Sequence, residues 1–452
     1  MSGPYQATTS YLKSSFNLPS GNVSGNPYLI TSASLNPYLV TSASMNPSLD
    51  PPYSSSFRSL QIPYGGSQVG VGVKAANAAF GGYPIGATTA NVTHGGGDAG
   101  RPLRMVHVGP CFTRGGAEQH IIALAKFLNP RRAYLERCLV VDSGAVDPSV
   151  AADMPAPVDV VPLNHLEEAV QEHDVMLHWG LALDEHFPRQ RPKLSVYLAH
   201  GDGWWTSSVL AGSHHVTDHV VAVSQRVSDA LDPGYDTTVI LNGIDSARLA
   251  HTRSRSEKRR ELGFDDNDFV LGYIGRLSPE KRPELLIQSL VNLPRNVKAL
   301  IVGWGPMRAS LMEMANDLVP GRVIFATGSD YLGDFYRAMD AFCLLSSQEG
   351  FALVGLEAMM CGVPLIATPV GAIPEVIQHR VNGLVVSLDC SDFTQAVGEL
   401  QSHPEWAKAI GREGQAYADQ HGHALRMAQQ YEDLLESLWH RSSGEVPATS
   451  VS

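Results

Sequence analysis

The segment EGFALVGLE, Glu349 to Glu357, sets two carboxylates eight residues apart around a glycine and an apolar run. Carboxylates accept hydrogen bonds from hydroxyl groups in defined directions, so such a pair suits a sugar. If Leu356, Met359 and Met360 face a core, a helix starts near Ala352 and Glu-Gly-Phe is the turn that enters it. With a rise of about 1.5 Å per residue, Glu357 stays within the first turn or two and can face the same bound molecule as Glu349. A second chemistry lies upstream in RLSPEKRPELL, where Arg276 and Lys281 flank the start of a helix whose first turn holds Pro283. Two cations there are placed for a diphosphate. The amides of Gln348, Glu349, Gly350 and Phe351 open a helix and add N–H donors and a positive dipole end. A nucleotide sugar answers all of these groups, with Glu357 taking the ribose and Glu349 the hexose. The plainer alternative is that Glu349 caps a helix and Glu357 is a solvated or core-satisfied helix residue.

Other loops share this texture. VKALIVG runs into Trp-Gly-Pro, where Gly303 and Gly305 allow close backbone approach, and LRMVHVG runs into PCFTRGGAEQ with Gly115 and Gly116 before a helix. Neither the GxGxxG fingerprint nor a GxxxxGK[ST] loop occurs.

The elements that must carry these loops follow from the apolar pattern. LRMVHVG, RCLVV, VDVVPL, DVMLHW, LSVYLAH and DHVVAVS read as strands, and the rhythm restarts after Asn242 with FVLGYIG, VKALIVG, RVIFA, DAFCLL and VPLIAT. Continuously apolar strands joined by helices predict parallel sheets covered on both faces. The fold class is therefore α/β with two Rossmann-like domains, residues 101–240 and 241–425, followed by a helix over 426–442 that can return to the first domain. Ligands of such sheets bind beyond the carboxyl ends of strands, where these loops lie. Residues 1–100 differ: their only charged groups are Lys13, Asp50, Arg58, Lys74 and Asp98, and NPYLITSASL is followed by NPYLVTSASM. This composition predicts a disordered tail, or a multivalent docking segment.

Composition narrows the class. A chain of 452 residues with 44% hydrophobic and 17% charged residues is long enough for a large core, and a net charge of −12 argues against a general nucleic-acid binder. Five scattered cysteines without a CxxC pair, no basic-then-apolar leader and no long apolar run predict reduced thiols in a cytoplasmic, non-spanning protein.

The motifs taken together resemble the retaining, metal-independent GT-B glycosyltransferases of the glycosyl transferases group 1 type. The resemblance runs from Leu103 to about Trp439. It is carried by SSQEGFALVGLEAMMCGVPLIATPVGAIPEVI with its Glu-x7-Glu spacing, by GRLSPEKRPELLIQSL, and more weakly by RGGAEQHIIALAKFL, VAVSQRVSDAL and VILNGID. It implies that Arg276 and Lys281 neutralise the donor pyrophosphate in place of a metal, and that no cofactor is needed beyond the nucleoside diphosphate sugar. It implies further that Glu349 binds donor-sugar hydroxyls, that Glu357 binds the ribose, and that amides around Gly350, Phe351, Ala352 and Leu353 hold phosphate and sugar. Gly115 and Gly116 would let the first-domain loop approach, and His200 would lie near the reacting sugar. Two positions depart from the family: its common glycines are Arg282 and Ala352 here.

The reading is hexosyl transfer to a hydroxyl of a sugar, polysaccharide or lipid-linked acceptor. Trp204 and Trp205 are candidates for stacking on that acceptor, His178 for a structural role, and Lys126, Arg131, Arg132 and Arg137 for peripheral contact with anionic headgroups. A glycoside hydrolase would not need the cationic loop, and a GT-B phosphorylase usually has a much longer chain. A non-catalytic nucleotide-sugar-binding scaffold remains the alternative.

Overall fold

The computed structural model describes residues 101–443 except 142–143, 188 and 328–330. The Asn-Pro-Tyr-Leu repeats and the tail predicted over 1–100 lie outside the described residues.

The first sheet is built from β1 (Leu103–Gly109), β2 (Ala133–Val141), β3 (Val158–Val161), β4 (Val175–His178), β5 (Leu194–Ala199), β6 (His219–Ala222) and β7 (Thr237–Val239). Their order is β3-β2-β1-β4-β5-β6-β7, parallel throughout. The second sheet contains β8 (Phe269–Ile274), β9 (Val297–Val302), β10 (Val323–Ala326), β11 (Ala341–Leu344), β12 (Leu365–Ala367) and β13 (Leu384–Val385). Its order, β10-β9-β8-β11-β12-β13, is again all parallel. Every residue of β4, β5, β6 and β11 is buried, as covering of both faces by helices requires. β7 and β13 are announced by no long apolar run; both are short edge strands, β7 half-buried throughout and β13 only two residues long.

Each sheet reverses its strand order once, at β1/β4 and at β8/β11. The β8–β11 ladder pairs Ala341 with Leu271 and Phe342 with Gly272 and stops there, short of the ends of both strands. The carboxyl ends part, and the loops that leave them open a crevice at the switch point. The last helix, Ala424–Ser443, packs on the first domain: Met427, Ala428, Tyr431 and Leu435 join the core formed with β1 and helix Gly116–Phe127.

That docking also engages the basic cluster. Arg132 meets Glu432 at 2.9 Å, Asp433 at 2.8 Å and Glu436 at 2.6 Å; Arg137 pairs with Asp159 and Lys126 with Asp245. Of the four cations, Lys126, Arg132 and Arg137 thus have carboxylate partners, and Arg131 is exposed. Among the described residues no helix is long and apolar enough to cross a membrane. All five cysteines are free thiols, three of them buried.

Candidate donor site

The loop after β8 and the loop after β11 meet. Lys281 Nζ donates to Glu349 Oε2 at 2.7 Å, and Ser346 Oγ donates to Glu349 Oε1 at 2.7 Å, so both oxygens of this buried carboxylate are engaged. Ser347 N bonds Glu280 O at 2.8 Å, which ties the two loops through backbone as well. Arg276 lies at the exposed lip of the β8 loop, and its carbonyl accepts from Tyr273 Oη at 2.5 Å. The helix Leu353–Met360 begins just beyond, with Ala352 at its N-cap and no side chain capping it. Its first amides therefore face the crevice without a protein side chain in the capping role.

Glu357 lies on that helix, one turn further in, and has its own partners. It is fully buried, accepts from Tyr336 Oη at 2.8 Å and lies 3.4 Å from Arg248 Nη1. Burial pushes its carboxyl above the usual carboxylate range, against the pull of Arg248 and Tyr336. The two glutamates thus sit in separate polar nests, Glu349 by the cations of the β8 loop and Glu357 by Arg248. Neither Arg248 nor Tyr336 is marked by the motifs; Arg248 is signalled only by its position close after Asn-Gly-Ile-Asp.

The first domain closes against this face. A Cβ on Gly350 would fall 2.7 Å from the His200 carbonyl carbon, so only glycine allows the loops to touch. Gly116 faces Leu353, and a small pocket between the domains is lined by Gln119 and Ala123 on one side and by Leu353, Asp245 and Arg248 on the other. Gly115 is the extended N-cap of helix Gly116–Phe127, and the loop before it is fixed by buried Glu118, which accepts from Thr113 N at 3.1 Å. Gln348 Nε2 reaches Asp202 Oδ1 at 3.2 Å, while Glu375 of the second domain accepts from the amides of Gln225 and Arg226.

His200, half-buried, lies beside a group of enclosed imidazoles. Its ring centroid lies 5.1 Å from that of His120 and 5.6 Å from that of Trp179. Burial drives it well below the ordinary imidazole value, and neighbouring His120 and His107 add to this. His120 Nδ1 meets Asn242 Oδ1 at 2.7 Å and its Nε2 meets Tyr431 Oη at 3.1 Å. His178 is buried on β4 with Nε2 at 3.4 Å from Thr217 Oγ1. Among the described residues no group of three or more His, Cys, Asp or Glu could hold a metal ion, so these imidazoles do not form a metal cage. Trp204 is exposed and Trp205 packs on the first-domain core.

Residues 254–416 match the model of a family described as glycosyl transferases group 1. Over that span, most of the second domain, the chain is similar to the glycosyl transferases group 1 family. N-acetyl-alpha-D-glucosaminyl L-malate synthase of Bacillus anthracis is 29% identical over 226 residues, covering 48% of this chain and 59% of that protein. D-inositol 3-phosphate glycosyltransferase of Segniliparus rotundus is 31% identical over 215 residues, covering 45% of each. The chain thus spans about half the length of the curated relatives it matches. Among solved structures, Anabaena HepE in complex with UDP and glucose aligns with a TM-score of 0.66 at 24% identity, covering 74% of this chain and 100% of that one. That likeness is one of fold, the two-domain GT-B arrangement.

Arg282 and Ala352, where the resemblance implies glycine, both adopt left-handed backbone, with φ of 48° and 65°. Glycine reaches that region without penalty, whereas a Cβ there costs about 1 kcal/mol. Ala352→Gly is therefore expected to leave stability unchanged or raise it by up to about 1 kcal/mol, and Ala352→Val to lower it. Urea denaturation of both variants reads the difference, and equal loss in both would refute the strain at this cap.

Proposed function

We propose that this protein transfers a hexosyl group from a nucleoside diphosphate sugar to an acceptor hydroxyl with retention of anomeric configuration. The observation that carries the reading is the convergence of Lys281 on Glu349 beside the open N-terminus of helix Leu353–Met360, at the switch point of the second sheet. Lys281 and Arg276 supply positive charge where the leaving diphosphate becomes more anionic, the role a metal ion has in other transferases. Amides from Gly350 to Leu353 bind the phosphates, Glu349 the sugar hydroxyls and Glu357 the ribose. Gly115 and Gly116 bring the first-domain loop over the donor, with His200 behind it and the acceptor entering from that side. Closure of the crevice excludes water, which would otherwise intercept the sugar.

UDP is the first nucleotide to test, because the Anabaena HepE structure holds it. Calorimetric titration of UDP, GDP and ADP is expected to show selective binding of one of them without added divalent metal. Glu357→Gln should weaken that binding by about tenfold, the equivalent of one charged hydrogen bond. Binding of none of them to folded protein would sink the donor-site reading.

A further inference from the structure

One side chain links three loops around the candidate donor site. Arg282 directly follows Lys281, and its guanidinium is given over to backbone carbonyls. Nε donates to Leu345 O at 2.6 Å, Nη2 to Ser346 O at 3.0 Å and Nη1 to Leu388 O at 2.8 Å. Leu345 and Ser346 begin the loop that runs from β11 to Glu349, whereas Leu388 lies in the loop after β13. Ser346 is held twice more, its carbonyl accepting from Thr368 Oγ1 at 2.6 Å and its hydroxyl donating to Glu349 Oε1 at 2.7 Å.

Two successive residues therefore grip the same loop. Lys281 meets the Glu349 carboxylate, and Arg282 holds the backbone that presents it. In regular helix or strand, neighbouring side chains diverge; the left-handed residue at 282 turns the chain so that both reach the β11 loop. Glycine would relax the backbone here and supply no donor. The fixed fork of a guanidinium suits several carbonyls at once, which a single ammonium does not.

We propose that Arg282 is a positioning residue, setting the β11 loop against Lys281 so that Glu349 meets the donor sugar. The proposal rests on the reading of Glu349 as the donor-sugar ligand. A further phosphate-binding cation would act differently, by direct contact with the nucleotide.

The test compares full-length wild type with Arg282→Gly and Arg282→Lys by hydrogen exchange, UDP titration and transfer kinetics. In Arg282→Gly, amides over 345–353 should exchange about tenfold faster or more, while those of the first-domain core keep their rates. The kcat should fall by about tenfold or more from the misplaced carboxylate, with UDP affinity held within about threefold. Arg282→Lys should be intermediate, and added guanidinium ion should restore part of the rate of Arg282→Gly. Unchanged exchange over 345–353 would overturn the proposal, as would UDP affinity reduced about tenfold at unchanged kcat, the mark of a direct ligand. If Arg282→Gly does not fold, exchange in Arg282→Lys decides alone. Absence of transfer by wild type with every sugar nucleotide tried would overturn the enzymatic reading, while exchange would still decide whether Arg282 braces the loop.

Discussion

Replacing Lys281 with alanine is expected to slow glycosyl transfer by about 100- to 1000-fold, the loss seen when one preorganised donor to developing negative charge is removed. The structure gives two causes for so large an effect. The ammonium is held on the loop that leads into helix Leu353–Met360, where a leaving diphosphate would gather charge, and it also neutralises Glu349 at 2.7 Å. Without it, Glu349 keeps the Ser346 hydroxyl but loses its cation in a buried place. A truncated partner of a buried ion pair leaves an uncompensated charge, so part of the loss belongs to Glu349. A double-mutant cycle separates the two. Lys281→Ala combined with Glu349→Gln should lose clearly less than the sum of the single variants, because the glutamine has no charge to strand. Lys281→Arg should recover much of the rate. If Lys281→Ala keeps kcat within about threefold of wild type, a change under about 1 kcal/mol, the charge-stabilisation account is wrong.

That Lys281 and Glu349 share one end of a sheet was legible in the sequence, whereas their direct contact depends on a strand order that it does not spell out. Both residues lie in loops leaving apolar runs, and a parallel sheet gathers such loops at one end. The runs themselves are plain because the central strands are buried on both faces. β7 and β13 escape notice for the opposite reason, since short edge strands bury too little to show a pattern. Glu357 marks the limit of spacing arguments. Its separation from Glu349 puts both on one segment, but its partners Tyr336 and Arg248 come from other elements, and no local period encodes their approach. The same holds for Arg282. Read along the chain it is an added cation in a phosphate loop, whereas its fork is turned onto three carbonyls by a left-handed backbone that a one-dimensional reading does not show. The imidazoles form a third case: His107, His120, His178 and His200 are scattered over β1, a helix, β4 and the end of β5, and only the fold brings them beneath one surface.

Those imidazoles predict that the protein loses stability as pH falls from about 6.5, well before ordinary carboxylates titrate. Burial lowers His107 and His178 to about 3 and His120 to about 4, so all three stay neutral in the folded chain at mildly acidic pH. Unfolded, each takes up a proton near pH 6.5. The unfolded state then binds more protons, so the stabilising contribution is complete above that value and is lost as pH falls toward the folded values. One unit below 6.5 the loss is about 1.4 kcal/mol for each group, or about 4 kcal/mol for three, a large share of a typical folding free energy of about 5–15 kcal/mol. Glu118 and Glu357 act in the opposite sense: burial raises both, so the folded state holds their protons more tightly and regains some stability as pH falls. The histidines are separable from them by substitution. Neither ring nitrogen of His107 has a hydrogen-bond partner among the described residues, so His107→Leu removes a titrating group without stranding a donor or acceptor. Unfolding free energies from urea denaturation should fall less in His107→Leu, by about 1.4 kcal/mol in total between pH 7.5 and 5.5. Parallel falls in the two proteins would show that acid sensitivity arises elsewhere in the chain.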